Sequence, residues 1–111
     1  MTHGTLPPIY RPLMDAPTIV SDTCVVCGRP ANNQHHIVWR SWGQLYGDDG
    51  QPIPKPTVSL CGLGNVSGCH GLAHARMLHF RYTDALEYLV TEQPTRYETA
   101  LDMEGWRHVK Q

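Results

Sequence analysis

The apolar positions of this chain fall into short segments that are separated by turns. Residues 36–39 (HIVW) have the β-branched and aromatic composition of a strand, and residues 57–61 (TVSLC) alternate as a second short strand would. Residues 43–56 between them are rich in Gly and Pro and cannot hold a long element. A glycine-rich loop follows over residues 62–68, and the sequence of residues 69–80 (CHGLAHARMLHF) predicts a helix.

The last third of the chain predicts further helices. Thr83 has a side chain suited to an N-cap, and residues 84–90 (DALEYLV) carry an apolar stripe that ends before Pro94. Residues 95–98 (TRYE) have the spacing of a capping box, so a third short helix is expected to run to Gly105.

The composition indicates one small domain with a thin core. The chain has 111 residues, with 10 Gly, 9 Pro and a single Phe, and a bound metal would supplement such a core. No run approaches the about 20 apolar residues that a membrane span requires. The N-terminus also lacks the pattern of a secretory signal. We therefore expect a cytoplasmic protein whose thiols are reduced.

The four cysteines predict a structural zinc site. Cys24 and Cys27 form a CxxC knuckle, a turn that presents two thiolates to one ion. Cys61 and Cys69 are further apart, but the glycine-rich loop between them can fold back and complete a tetrahedral set of four thiolates. An alternative ligand set replaces one thiolate with His70, which follows Cys69 directly.

The histidines predict a second metal site. His70 and His74 are four residues apart, so a helix presents both imidazoles on one face. A third ligand can come from the adjacent pair His35 and His36, whose side chains point to opposite sides of a strand. One member of that pair can bind metal while the other has a different role.

The charges are unevenly distributed along the chain. The net charge is −1, but residues 29–81 hold five basic and two acidic residues, whereas residues 84–111 hold three basic and six acidic ones. A basic middle segment is suited to phosphate contacts. Arg40, Arg76 and Arg81 are therefore candidate DNA-binding residues, with an ordinary solvated surface as the alternative.

The CxxC pair, the HH pair with two apolar residues after it, and the run LCG…GCHGxxH resemble the HNH endonucleases of the His-Me finger group. The likeness is strongest to the small zinc-stapled forms of bacteriophages and prophages, and it covers residues 24–80. It implies a zinc-stabilised ββα-metal core, and together with the C-terminal helices predicted above this gives an α+β fold. The expected division is an extended or disordered N-terminal arm over residues 1–22, which is rich in proline, a nuclease core over 23–82 and a C-terminal helical extension over 83–111.

The resemblance also implies a reaction, the metal-dependent hydrolysis of DNA phosphodiester bonds. His36 matches the general base that activates water, while His35, His70 and His74 match the ligands of a catalytic Mg²⁺, Mn²⁺, Ni²⁺ or Zn²⁺. The four cysteines match the ligands of a structural Zn²⁺. The implied partners are DNA and a phage packaging or recombination protein, with no membrane, and a phage-encoded protein would act in the host cytoplasm.

One position departs from the family pattern. The family has an Asn shortly before the cysteine that begins the second pair, where it orients the base, and Pro56 stands there in this chain. Asn65 in the glycine-rich loop is a candidate replacement. The side chains of Gln34, Thr57 and Ser59, or a backbone carbonyl, are the other candidates.

Two other functions compete with the nuclease. A non-catalytic, treble-clef-like zinc module that binds DNA or a protein would use the cysteines alone and bind one ion, whereas the nuclease should bind two. A metal-dependent hydrolase of small substrates has less support, because the site is expected to be open and rich in loops.

Overall fold

The computed structural model describes residue 13 and residues 15–37, 44–47, 49–64 and 66–109. Seven strands and two short helices follow one another in these residues, and every strand pair within a sheet is antiparallel. The small mixed fold confirms the predicted α+β class in its coarse form. In chain order the elements are β1 (Asn33–His36), β2 (Leu45–Tyr46), β3 (Pro52–Ile53), β4 (Thr57–Leu60), α1 (Gly68–His74), β5 (Leu78–Tyr82), β6 (Leu86–Val90), α2 (Tyr97–Leu101) and β7 (Arg107–His108).

Strands β1 and β4 form the hairpin that organises the predicted site. In its register His35 lies opposite Val58, and His36 lies opposite Thr57. Residues that are directly opposite in an antiparallel pair point to the same face, and neighbours along a strand point to opposite faces. His35 therefore shares the inner face with fully buried Val58, while exposed His36 lies on the other face. In chain order, the two-residue strands β2 and β3 lie between β1 and β4, and they pair with each other.

The described part of the N-terminal arm packs against this hairpin. Ile19 forms a parallel bridge with Val58, and its backbone N–H donates to the Thr57 carbonyl at 2.8 Å. Leu13 is 1% exposed and belongs to the core. The arm therefore covers the edge of β4 that β1 leaves open.

Helix α1 is shorter than the sequence predicted. The structure ends it at His74, and Arg76 adopts a left-handed backbone with φ of 62°, which a continuing helix excludes. The predicted helical residues 78–80 belong instead to β5, where Leu78 and Phe80 are buried. The prediction of a helix over residues 69–80 is therefore correct only for its first half.

The predicted helix over residues 84–90 is wrong. Residues Leu86–Val90 form β6, which pairs along its whole length with β5 and along one end with β7. Thr83 caps no helix; its hydroxyl donates to the Glu87 carboxylate at 3.2 Å across the turn between β5 and β6. Sheet pairing and burial of Leu86 and Leu89 outweigh the helical spacing of the apolar residues.

The third predicted helix is also shorter than expected. Helix α2 has five residues and ends at Leu101, well before Gly105. Beyond it, residues 107 and 108 return to the sheet as β7. The sequence predicted a C-terminal helical extension over residues 83–111. The described residues of this segment form two strands and one short helix, so the prediction that it is helical is wrong.

A single hydrophobic core joins the hairpin to the C-terminal sheet. It takes residues from the arm, the knuckle, β4, β5, β6 and the segment after β7. The core includes Leu13, Val25, Val58, Leu60, Phe80, Leu86 and Val109. No helix among the described residues has the length and apolar character needed to cross a bilayer.

Candidate metal centres

The four cysteines come together in one cluster, as predicted. Their Sγ atoms all lie within 4.8 Å of one another, all four thiols are free, and three of the residues are buried. The Sγ atoms of Cys27 and Cys61 are 3.4 Å apart. A tetrahedral zinc ion with Zn–S bonds of about 2.3 Å needs S–S separations of about 3.8 Å, so the cluster has the size of a four-cysteine zinc site.

The first two ligands are placed by a turn that is docked on the hairpin. The Gly28 N–H donates to the Cys24 carbonyl at 3.0 Å, which closes the turn around Cys27. The Val25 N–H donates to the Ser59 carbonyl at 3.1 Å and fixes the turn against β4. The knuckle therefore faces the cysteine that ends β4.

The other two ligands meet because the loop between them crosses itself closely. Gly62 and Gly68 have φ values of 121° and 61°, and a Cβ atom on Gly68 would lie 2.7 Å from the Cys61 carbonyl oxygen. Only glycine fits such an approach with that backbone. The His70 N–H then donates to the Cys61 carbonyl at 3.0 Å and joins the helix to the end of β4.

The thiols of this cluster have perturbed pKa values. Burial raises the pKa of Cys24, but backbone N–H groups of Cys27, Cys61 and Val26 outweigh it and bring that pKa down to about 7. Burial and the neighbouring thiols Cys24 and Cys61 raise the pKa of Cys69. One thiolate is thus favoured by the fold, and a bound dication would stabilise the others.

His35, His70 and His74 form the second cluster, again as predicted. Each contributes a ring nitrogen, and the three nitrogens lie within 4.8 Å of one another. The Nε2 atoms of His70 and His74 are 3.2 Å apart, close to the about 3.3 Å between two nitrogens on a tetrahedral ion with bonds of about 2.0 Å. The three rings contact one another edge to face.

A backbone carbonyl fixes the orientation of the His70 ring. Its Nδ1 lies 2.6 Å from the Gly64 carbonyl oxygen, which can only accept a hydrogen bond, so Nδ1 carries the proton. Neutral His70 therefore presents the Nε2 lone pair to the cluster. Ligand histidines in metalloproteins are commonly held in this way by a carbonyl or carboxylate.

The environment keeps His35 neutral. Burial lowers its pKa to about 3, and the charges of His70 and His74 add to the effect. Burial also lowers the pKa of His74, with His70 as the second cause. A neutral imidazole is the form that binds metal, so the lowered pKa values of His35 and His74 favour their ligating state.

His36 lies next to this cluster but on the opposite face of the hairpin. Its side chain is exposed, and within the described parts of the chain it has no hydrogen-bond partner. The three side chains considered for orienting it bond to one another instead. Ser59 Oγ donates to Gln34 Oε1 at 2.8 Å, and Gln34 Nε2 donates to Thr57 Oγ1 at 3.0 Å.

The remaining candidates have varied surroundings. The Arg81 Nε donates to Glu87 Oε1 at 2.9 Å, and its guanidinium lies 4.3 Å from the centre of the Trp106 ring, so its charge is already compensated. Arg76 is exposed on the turn after α1. Arg40 and Asn65 lie outside the described residues.

Pro56, which stands in place of the family Asn, is buried, and its carbonyl accepts the Ile37 N–H at 3.2 Å. Two other asparagines, Asn32 and Asn33, were not predicted as site residues, and their side chains contact Gly62. The available signal was their position close before the histidine pair in the sequence.

Comparison of the chain with protein-family models, with curated proteins and with solved structures finds no match in any of the three.

Proposed function

We propose that the protein is a metal-dependent endonuclease that hydrolyses DNA phosphodiester bonds. The observation that carries the proposal is the convergence of His35, His70 and His74, which one hairpin and one helix supply. In this proposal β1, β4 and α1 form a ββα-metal unit, with the short strands β2 and β3 inserted between β1 and β4. A sheet follows α1, where the sequence predicted helices.

In the proposed site three histidines hold the divalent ion. Three neutral imidazoles with converging nitrogens fit Zn²⁺, Ni²⁺ or Mn²⁺, and phosphate and water oxygens would complete the shell for Mg²⁺. When bound, such an ion supplies Lewis-acid polarisation of the phosphate and stabilises the charge that develops on the leaving oxygen. Burial of His35 and the Gly64 contact of His70 keep both ligands oriented.

His36 is the proposed general base. Its exposed ring can receive a water molecule, and an unprotonated ring nitrogen would take the proton as the water oxygen attacks phosphorus. His36 follows His35 directly on β1, with its side chain on the opposite face of the hairpin.

The cysteine cluster would hold a structural Zn²⁺ and no substrate. It joins the N-terminal knuckle, the end of β4 and the start of α1, the same elements that carry the histidines. Phosphate contacts are assigned to the basic middle of the chain, with Arg76 as the best-placed described candidate because it follows α1. A phage packaging or recombination protein is the proposed protein partner.

The test is a supercoiled-plasmid nicking assay in Mg²⁺, Mn²⁺ and Ni²⁺. Wild type is compared with His36→Ala and with His108→Ala, a control that removes an exposed histidine from β7. Zinc content is measured first in all three. We expect wild type and His108→Ala to nick, and His36→Ala to lose about 10²-fold or more of the rate with zinc retained.

A second candidate is a treble-clef-like zinc module that binds DNA or a protein without cleaving it. The observation that favours it is the complete set of four clustered cysteines, which needs none of the histidines. Metal stoichiometry separates the two candidates. One ion per chain, together with no nicking by folded protein in any of the three metals, would replace the nuclease with this module.

A further inference from the structure

Asn32 and Asn33, at the N-terminal end of β1, hold the loop that leads to α1. The Asn33 side-chain amide donates to the Gly62 carbonyl, and the Gly62 N–H donates to Asn32 Oδ1 at 3.4 Å. Both polar backbone groups of Gly62 are thus bound by neighbouring side chains of one strand segment. This fixes the loop at the residue that follows the zinc-cluster ligand Cys61.

The same loop carries the carbonyl that orients His70. The Leu63 N–H donates to Ser67 Oγ at 2.8 Å, which closes the loop across its base. Gly64 lies between these two residues, and its carbonyl oxygen accepts a hydrogen bond from His70 Nδ1 at 2.6 Å. A chain of contacts therefore runs from Asn33 through Gly62 and Gly64 to a ligand of the histidine cluster.

We propose that Asn33 is a positioning residue for the histidine metal centre and sets the His70 tautomer through this loop. The inference rests on the proposed role of the histidine cluster as a metal site. By strand alternation Asn33 lies on the same face of β1 as His35, so one face of one strand supplies both a ligand and the support of another ligand. Pro56, which directly precedes β4, has no side-chain donor and cannot supply such support.

The role requires a donor at residue 33 and an acceptor at residue 32. Replacing Asn33 by Asp puts a carboxylate against the Gly62 carbonyl, so the two acceptors repel each other. Replacing Asn32 by Asp keeps the oxygen that accepts from the Gly62 N–H. The two variants add the same charge at adjacent positions, which makes Asn32→Asp a matched control for Asn33→Asp.

The test uses the full-length, zinc-loaded protein and two readouts. Long-range ¹H–¹⁵N NMR of the histidine rings, recorded without a second metal, reports the His70 tautomer. A calorimetric titration with Ni²⁺ alone reports the affinity of the histidine centre for that ion. Loss of such ligand support in other metal sites reduces affinity by about 10–100-fold, and we expect a loss in this range for Asn33→Asp.

We expect Asn33→Asp to lose the Nδ1-protonated His70 signal and to bind Ni²⁺ more weakly, while Asn32→Asp retains the signal and stays within about twofold of wild type. Asn33→Ala, which adds no charge, provides the same comparison if Asn33→Asp does not fold. An unchanged His70 signal in a folded Asn33 variant would overturn the inference. So would an equal loss in Asn32→Asp and Asn33→Asp. Absence of Ni²⁺ binding by wild type would instead contradict the proposed function and leave the NMR comparison to decide the role of Asn33.

Discussion

Cys69 and His70 are consecutive residues of α1, yet they belong to different ligand clusters. The Cys69 thiol joins the cysteine cluster, and the His70 ring joins the histidine cluster. Consecutive side chains on a helix are separated by about 100°, which lets one turn serve two sites. The two clusters therefore share a backbone segment, the first turn of α1.

This sharing predicts a one-way dependence between the centres. Cys69→Ser should lower zinc content and the melting temperature, because structural zinc sites couple to folding, and it should also reduce Ni²⁺ binding at the histidines. His74 lies at the exposed end of α1. His74→Ala should therefore leave the zinc content unchanged and abolish only the binding of the second ion. Zinc analysis and calorimetry of both variants check the prediction. Full Ni²⁺ affinity in a zinc-depleted Cys69→Ser protein would contradict it.

The crossing of the loop at Gly68 predicts a local sensitivity to side chains. Gly68→Ala combines a left-handed backbone with a Cβ 2.7 Å from the Cys61 carbonyl oxygen, so we expect it to lower the free energy of unfolding by about 2–4 kcal/mol.

Gly50→Ala is the matched control, since Gly50 has φ of 79° but open space around its Cβ position. Its cost should be only the about 1–2 kcal/mol of the left-handed backbone. Chemical denaturation with zinc present measures both values, and equal costs would show that the close approach to Cys61 does not matter.

The ion pair on the C-terminal sheet predicts that Arg81 contributes to stability more than to DNA binding. Its guanidinium pairs with Glu87, whose side chain is 11% exposed, and contacts the Trp106 ring. Arg81→Ala should lower the free energy of unfolding by about 1–3 kcal/mol, because it leaves a largely buried carboxylate without its cation.

Arg76→Ala is the comparison variant for DNA affinity. DNA affinity, measured at several salt concentrations, should fall in Arg76→Ala and change less in Arg81→Ala. The opposite ranking, in proteins that remain folded, would return Arg81 to the set of DNA-contacting residues.

Buried His79 predicts a pH-dependent loss of stability. Burial lowers its pKa, although its hydrogen bond to the Arg76 carbonyl at 2.9 Å opposes the shift. A folded-state pKa below the unfolded value of about 6.5 means that the unfolded chain binds more protons, so stability falls as the pH drops below about 6.5.

His79→Gln keeps a side-chain donor and removes the titrating group. Its free energy of unfolding should therefore decline less than that of wild type between about pH 7 and pH 5. His108→Gln, at an exposed position on β7, should follow wild type. Parallel decline in all three proteins would exclude His79 as a contributor.

The sequence predicted the grouping of the cysteines and of the histidines far better than the C-terminal secondary structure. The cysteines and histidines could be grouped because metal chemistry limits ligand types and spacings, and the glycines between Cys61 and Cys69 already allowed the loop to close. Residues 84–90 could not be assigned correctly because their apolar spacing fits a helix, whereas pairing with β5 made them a strand.

The roles of the backbone carbonyls could not be predicted from the sequence either. The hydrogen bond between Gly64 and His70 depends on the path of the loop. The hydrogen bond from Asn33 to Gly62 depends on the register of β1. Side-chain chemistry can be read from residue types, but the backbone groups that orient it are placed by tertiary structure.

The common hydrophobic core has a consequence for protein engineering. The expected nuclease core ends at residue 82, inside the β5–β6 hairpin, so a fragment cut there would lose the partner strand of β5. It would also lose Leu86 and Val109, which pack in the same core as Val58 behind the histidine hairpin. A graft of the metal-binding half onto another scaffold would therefore have to carry the terminal sheet with it.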